Sequence, residues 1–137
     1  MGKPVLLLFV DYNTGRSTQE VVKALRRVYP DHNKVPIALV VDLRSVPKLL
    51  RGTAARVMEA AYKHAATEIP SAEDPADHLI LLPDWSGNVF KGYQVGNVNK
   101  DLYLILIGAN GRIAAVYQGQ NPTQAALDWL NSIFKSN

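Results

Sequence analysis

The residues best suited to chemistry gather at one turn. Thr14 and Ser17 offer hydroxyls and Arg16 a guanidinium fork, all within Tyr12-Asn13-Thr14-Gly15-Arg16-Ser17. A hydroxyl becomes a nucleophile only with a base in hydrogen-bond reach. The bases available are His32, His64 and His78, which the sequence puts in a turn, at a helix end and at a strand start. None is brought to the turn by spacing, so the nucleophile–base–orienter set is incomplete. A helix N-terminus carrying Arg16 can instead hold an anion through free amides and partial positive charge. An ordinary capped turn accounts for the same residues, because Ser17-Thr18-Gln19-Glu20 has capping-box spacing and Glu20 competes for those amides. Val10 stands where a phosphate-binding loop needs its first glycine.

The chain has no cysteine, which removes disulfides, thiolate zinc sites, iron–sulfur clusters and thiol nucleophiles. Three unclustered histidines make no metal site, and no cofactor is called for. Glu68, Glu73, Asp74 and Asp77 form an acidic loop without the ligand register of a calcium loop. Lys23, Arg26, Arg27 and Lys34 read as a solvated outer helix face. With a net charge of only +3, they make no nucleic-acid footprint. No apolar run reaches the roughly 18–20 residues that span a bilayer, so no membrane insertion is expected. The start, Met1-Gly2-Lys3-Pro4-Val5, runs straight into a strand without a cleavage site, and Leu6 stands where myristoylation needs Ser or Thr. The chain is expected in the cytoplasm if complete, and outside it if a leader has been removed.

These side chains must be positioned by a regular α/β order. Residues 4–10 and Val35–Leu43 are short, continuously apolar runs, the pattern of strands buried on both faces. Between them Val21, Val22, Leu25, Val28 and Tyr29 share one helical face. Ser45 and Pro47 open a second helix, along which Val46, Leu49, Leu50, Ala54, Val57, Met58, Ala61, Tyr62 and Ala65 keep helical spacing; Gly52 marks a potential break. Residues 67–77 read as a surface loop and His78–Leu82 as a third strand, followed by a turn at Asp84–Gly87 and a short helix within Asn88–Val95. Asn110-Gly111 between Leu102–Ile107 and Arg112–Tyr117 signals a hairpin. A last helix from Pro122 carries Ala125, Ala126, Trp129, Leu130 and Ile133 on one face. The order β-α-β-α-β-(α)-β-β-α predicts a mixed sheet with helices on both faces in one domain, 1–137.

Two segments resemble the thioredoxin-like superfamily, in its redoxin, peroxiredoxin and TlpA-like branch. Leu6–Ser17 (LLLFVDYNTGRS) is similar to the strand and active-site turn. Leu81–Gly119, with LLPDWSGNVFKGYQV and LILIGANGRIAAVYQG, is similar to the branch's later strand, turn and hairpin. The middle, VVDLRSVPKLLRGTAARVMEAAYKH, resembles the uncharacterised YtfJ family. The resemblance implies a thioredoxin-like three-layer α/β/α sandwich, its mixed sheet ending in a C-terminal β-hairpin and final helix.

Against that pattern, Thr14 and Ser17 occupy the two cysteine positions, Asn13 replaces an aromatic, and Leu8 replaces a buried acid. Leu102 falls near the groove-lining cis-proline or arginine, Gly96–Asp101 is longer, and Gly108 replaces an aspartate. Disulfide exchange needs a thiolate, which a hydroxyl cannot supply. The resemblance therefore implies a fold without its chemistry, most simply a non-catalytic module for a protein or peptide partner. The binding residues it implies are Tyr12, Asn13, Thr14, Gly15, Arg16, Ser17, Trp85 and Leu102, around a groove beside the turn. Packing is the simpler reading of the aromatics, Phe90 and Tyr93 against a short helix and Trp85 over a core edge. The alternatives are a partner-dependent component of a thiol-redox or antioxidant pathway, and an anion or small-molecule site at the Thr14–Ser17 helix N-terminus.

Overall fold

The computed structural model describes residues 3–31, 33–67 and 80–134. The acidic loop with Glu68, Glu73, Asp74 and Asp77, together with His32 and His78, lies outside the described residues, as do the side chains of Tyr12 and His64. Strand β1 (Val5–Val10) runs through a 3₁₀ turn at Tyr12–Thr14 into α1 (Gly15–Val28) and β2 (Ile37–Asp42). A second 3₁₀ turn, Lys48–Leu50, leads into α2 (Arg51–Thr67), then β3 (Ile80–Asp84) and a short α3 (Asn88–Gly92). The hairpin β4 (Tyr103–Ile107) and β5 (Ile113–Gln118) precedes α4 (Pro122–Phe134).

The sheet order is β3-β2-β1-β4-β5. β1 pairs parallel with β2, β2 parallel with β3, and the hairpin antiparallel with β1 through β4. Alternation along β1 explains why the sheet is covered twice. Leu6, Leu8 and Val10 pack with Val21, Val22 and Leu25 of α1 and Ala126 and Leu130 of α4. Leu7 and Phe9 point to the opposite layer, where they meet Phe90 of α3, Val95 and Val98. There the Phe9 ring meets Phe90 edge-on, centroids 5.1 Å apart, and Tyr93 at a tilt, centroids 5.5 Å apart. The Tyr29 hydroxyl donates to Asn131 and ties the end of α1 to α4. The three layers and the mixed sheet are those expected, and Gly111 takes the left-handed conformation (φ 82°) that the Asn-Gly hairpin turn requires.

Four local expectations are corrected. The helix cap is not Ser17–Glu20: Asp11 caps the chain one turn earlier, and Ser17 is exposed inside the first turn of α1. Arg26 is not on a solvated face: it is 1% exposed, and its Nη1 donates to the carbonyls of Tyr29 (3.3 Å) and Val35 (2.9 Å). Those carbonyls belong to the segment closing over the end of α1, and buried carbonyls need donors. Burial pushes the Arg26 pKa down to about 10, partly offset by nearby Asp31, so the guanidinium stays charged at neutral pH. The apolar series that begins α2 is not wholly buried, since Leu49, Leu50 and Val57 are exposed while Val46 and Met58 reach the core. The third strand extends to Asp84, and Pro83 lies in an edge strand bonded on one side only, where a missing amide is tolerated.

Candidate functional site

The turn after β1 is built by one carboxylate. Asp11 follows the strand in extended conformation and accepts from the amides of Asn13 (2.8 Å) and Thr14 (3.2 Å). Thr14 answers, its Oγ1 accepting from the Asp11 amide at 2.9 Å. This reciprocal cap starts the 3₁₀ turn that becomes α1. One turn on, the buried Thr18 hydroxyl donates to the Thr14 carbonyl at 2.7 Å. Thr14 is 3% exposed, so its hydroxyl is closed to substrate and engaged within the cap. Ser17 and Arg16 face solvent on α1. The Asn13 and Thr14 amides, which could have met an anion, already hold the Asp11 carboxylate.

A crevice of about 760 Å³ opens beside this turn, well within the roughly 300–1,000 Å³ typical of ligand sites. It lies at the carboxyl ends of the parallel strands β1 and β2, between the turn that follows β1 and the segment and helix that follow β2. One wall is Asp11, Asn13 and Gly15 with Gln19 of α1. The floor is Val41, Leu43 and Val46, leaving β2. The far wall is Ala54, Val57 and Met58, at i, i+3 and i+4 on α2. Asp42, Arg44 and Ser45 complete the rim.

That rim is held rigidly. Asp42 takes a bidentate fork from Arg44, Nε to Oδ1 at 2.9 Å and Nη2 to Oδ2 at 2.8 Å, and its Oδ1 also accepts the Arg44 amide. The hydrogen bonds from the Arg44 side chain hold the Asp42 carboxyl below its ordinary pKa, against the opposing effect of partial burial. The same bonds raise Arg44. The Arg44 guanidinium also lies 5.4 Å from the Phe90 ring centre. Its side chain passes over Gly87, where a Cβ would lie 2.4 Å from Arg44 Cδ. Asp84, in register with Asp42 on the neighbouring strand, is buried and accepts the Phe90 amide at 3.0 Å. Asp11, Asp42 and Asp84 thus end three adjacent strands, each engaged within the fold. Among the described residues no group of three ligating side chains could hold a metal.

Of the residues expected at a groove, Asn13 and Gly15 line the crevice together with Asp11. Tyr12 belongs to the same turn through its backbone. Thr14 lies beneath the turn, and Arg16 and Ser17 lie outside the crevice lining. Trp85 packs against the core edge with the Arg51 guanidinium 5.3 Å from its ring centre. Leu102 is 1% exposed inside the core. Trp85 follows β3 and Leu102 precedes β4, three strand spacings or about 14 Å apart, so they flank the turn on opposite sides. Asp42, Arg44, Val57 and Met58 were missing from the expected set. The helical stripe signals only Val57 and Met58, and it reads as core; nothing in the sequence marks Asp42 and Arg44. Among the described residues no helix is long and apolar enough to cross a membrane.

No family model and no curated protein matches the chain. Solved structures do. The chain is similar to a thioredoxin-like protein in oxidised form, at TM-score 0.65 and 15% identity over 100% of this chain and 81% of that one. It is similar to the exposed lipoprotein thioredoxin Etrx1 of Streptococcus pneumoniae, at TM-score 0.61 and 18% identity over 96% and 85%. StoA of Bacillus subtilis aligns at TM-score 0.60 and 17% identity over 94% and 83%. At such identities these likenesses establish fold: the chain has the thioredoxin-like fold and no cysteine.

Proposed function

We propose that this cysteine-free thioredoxin-fold chain is a non-catalytic binding module, with the crevice between the capped turn and α2 as its peptide-binding site. The observation that carries this reading is the crevice itself: an apolar floor and α2 wall facing a polar rim of Asp11, Asn13, Asp42, Arg44 and Ser45, of which Asp11, Asp42 and Arg44 are held by hydrogen bonds. Such a lining takes an apolar side chain while the rim orients its backbone. The turn argues against catalysis from this chain. Its one buried hydroxyl is held in a cap, its exposed hydroxyl has no described base beside it, and the chain has no thiol. The cap also argues against an anion site, because Asp11 supplies the negative charge that the Asn13 and Thr14 amides would otherwise seek.

The test is selection from a displayed random-peptide library by the purified chain, beside Ala54→Phe, which fills the crevice from the α2 wall. Saturable binding of selected peptides to the wild type and its loss in a folded Ala54→Phe variant is the expected result. Selected peptides that bind both proteins equally, or no saturable binder at all, would remove the crevice from the account.

A further inference from the structure

Three charged side chains line the crevice, Asp11, Asp42 and Arg44, and the fold already uses each of them. Asp42 and Arg44 neutralise one another through their bidentate pair. The Asp11 Oδ1 accepts the Asn13 and Thr14 amides and the Thr14 hydroxyl, which sets its charge against the head of α1. The other polar side chains of the lining are neutral: Asn13, Gln19 and Ser45. Asn13 and Ser45 are exposed and Gln19 is half-buried. Among the described residues no hydrogen bond engages any of these three side chains. Asn13 and Gln19 belong to the turn and α1, and Ser45 to the segment leaving β2, so the three reach the crevice from both sides. A carboxamide both donates and accepts, as a peptide group does, and so does a hydroxyl. On the α2 wall Val57 lines the crevice while 64% exposed, an apolar surface that a ligand would take out of water.

We infer that the partner is an uncharged apolar peptide segment recognised by its backbone: Asn13, Gln19 and Ser45 hydrogen-bond its peptide groups, while its apolar side chains cover Val57 and enter between the turn and α2. This rests on the crevice reading above and adds the partner's chemistry and the residues that read it. A volume of about 760 Å³ lies in the range that holds a whole drug-sized molecule, which leaves room for backbone as well as side chains. Peptide groups entering the crevice give up hydrogen bonds to water, and polar groups buried without partners are costly. Neutral side chains that donate and accept at the rim replace those bonds. A carboxylate or ammonium reaching the floor would instead lose its hydration against Val41, Leu43 and Val46.

Short fluorescein-labelled peptides with two leucines in a serine–glycine sequence test this by fluorescence anisotropy. Their binding should hold steady between about 0.01 M and 0.15 M salt, although the screening length contracts from about 30 to 8 Å. Lysine or aspartate in place of the leucines should weaken binding by more than about tenfold. Methylating the peptide nitrogens next to the leucines removes their N–H donors and should weaken binding about three- to tenfold. The triple variant Asn13→Ala, Gln19→Ala, Ser45→Ala should bind the plain peptide more weakly by a similar factor and lose the penalty for methylation. Its melting curve reports its folding, and single variants at the exposed Asn13 and Ser45 replace it if it melts early. Equal methylation penalties in both proteins, or a triple variant that binds as tightly as wild type, would overturn backbone recognition. Tighter binding of the lysine or aspartate peptide, or affinity that falls with salt, would overturn the uncharged partner. In either case loss of binding in Ala54→Phe leaves the crevice reading standing. No saturable binding of the leucine peptides would also overturn this inference alone, provided that library-selected binders are lost in Ala54→Phe. Leucine-peptide binding unchanged in Ala54→Phe would remove the crevice and this inference together.

Discussion

Replacing Asp11 by alanine tests the claim that one carboxylate builds the turn and closes it to anions. The substitution removes the acceptor of two backbone amides, at 2.8 and 3.2 Å. Cap deletions commonly destabilise by about 1 kcal/mol and by up to about 2. The exposed Asn13 amide can turn to water and the Thr14 amide keeps the Asp11 carbonyl at 3.2 Å, which places the loss near the common value rather than the upper end. Asp11→Ala should therefore lose about 1 kcal/mol in urea unfolding followed by circular dichroism, lowering the melting midpoint by roughly 3–5 °C for a chain of this length. Asp11→Asn keeps an oxygen acceptor and loses only charge–dipole stabilisation, about 0.5 kcal/mol. The freed Asn13 amide in Asp11→Ala, with the carboxylate's charge gone, should also make its midpoint rise with sulfate more than that of the wild type. An Asp11→Ala protein as stable as wild type, or an Asn variant as damaged as the Ala variant, would refute the capping argument.

Three further outcomes follow from the same contacts. Arg26→Met should cost about 2–4 kcal/mol in urea unfolding, because the Tyr29 and Val35 carbonyls lose their shared buried donor. Arg44→Met should destabilise by about 0.2–1 kcal/mol at neutral pH, a partly exposed pair. Because Asp42 titrates below its ordinary 3.8 when folded, the pair's contribution is complete above that value. It is lost as pH falls through the lowered folded pKa, so the gap between wild type and Arg44→Met in chemical unfolding should close there. Gly87→Ala should lose about 1–3 kcal/mol, since its φ is +79° and the new Cβ would strike the Arg44 side chain.

Much of the fold is written locally. The runs of β1 and β2, the Asn-Gly hairpin and the α4 stripe each carry their own period, and each forms near its expected place. The errors arise where a distant partner decides. Ser17 and Glu20 have the right spacing for a cap, but the turn capped by Asp11 as it leaves β1 extended already starts α1 at Gly15, so both lie inside the helix. Arg26 looks solvated on a helical wheel, yet Val35, nine residues on, supplies the carbonyl that buries it. The expected groove set Trp85 and Leu102 on either side of the turn, whereas the crevice joins the turn to Asp42, Arg44 and α2. That junction comes from the β1–β2 register, Val10 opposite Val41, which no local pattern states.

The central claim is that binding occurs between the capped turn and α2. Amide chemical shifts recorded by NMR during titration with a library-selected peptide test it most directly. The account predicts saturable changes over residues 11–19 and 42–58. Changes confined to the surroundings of Trp85 and the loop 96–102, with the crevice residues silent, would contradict it.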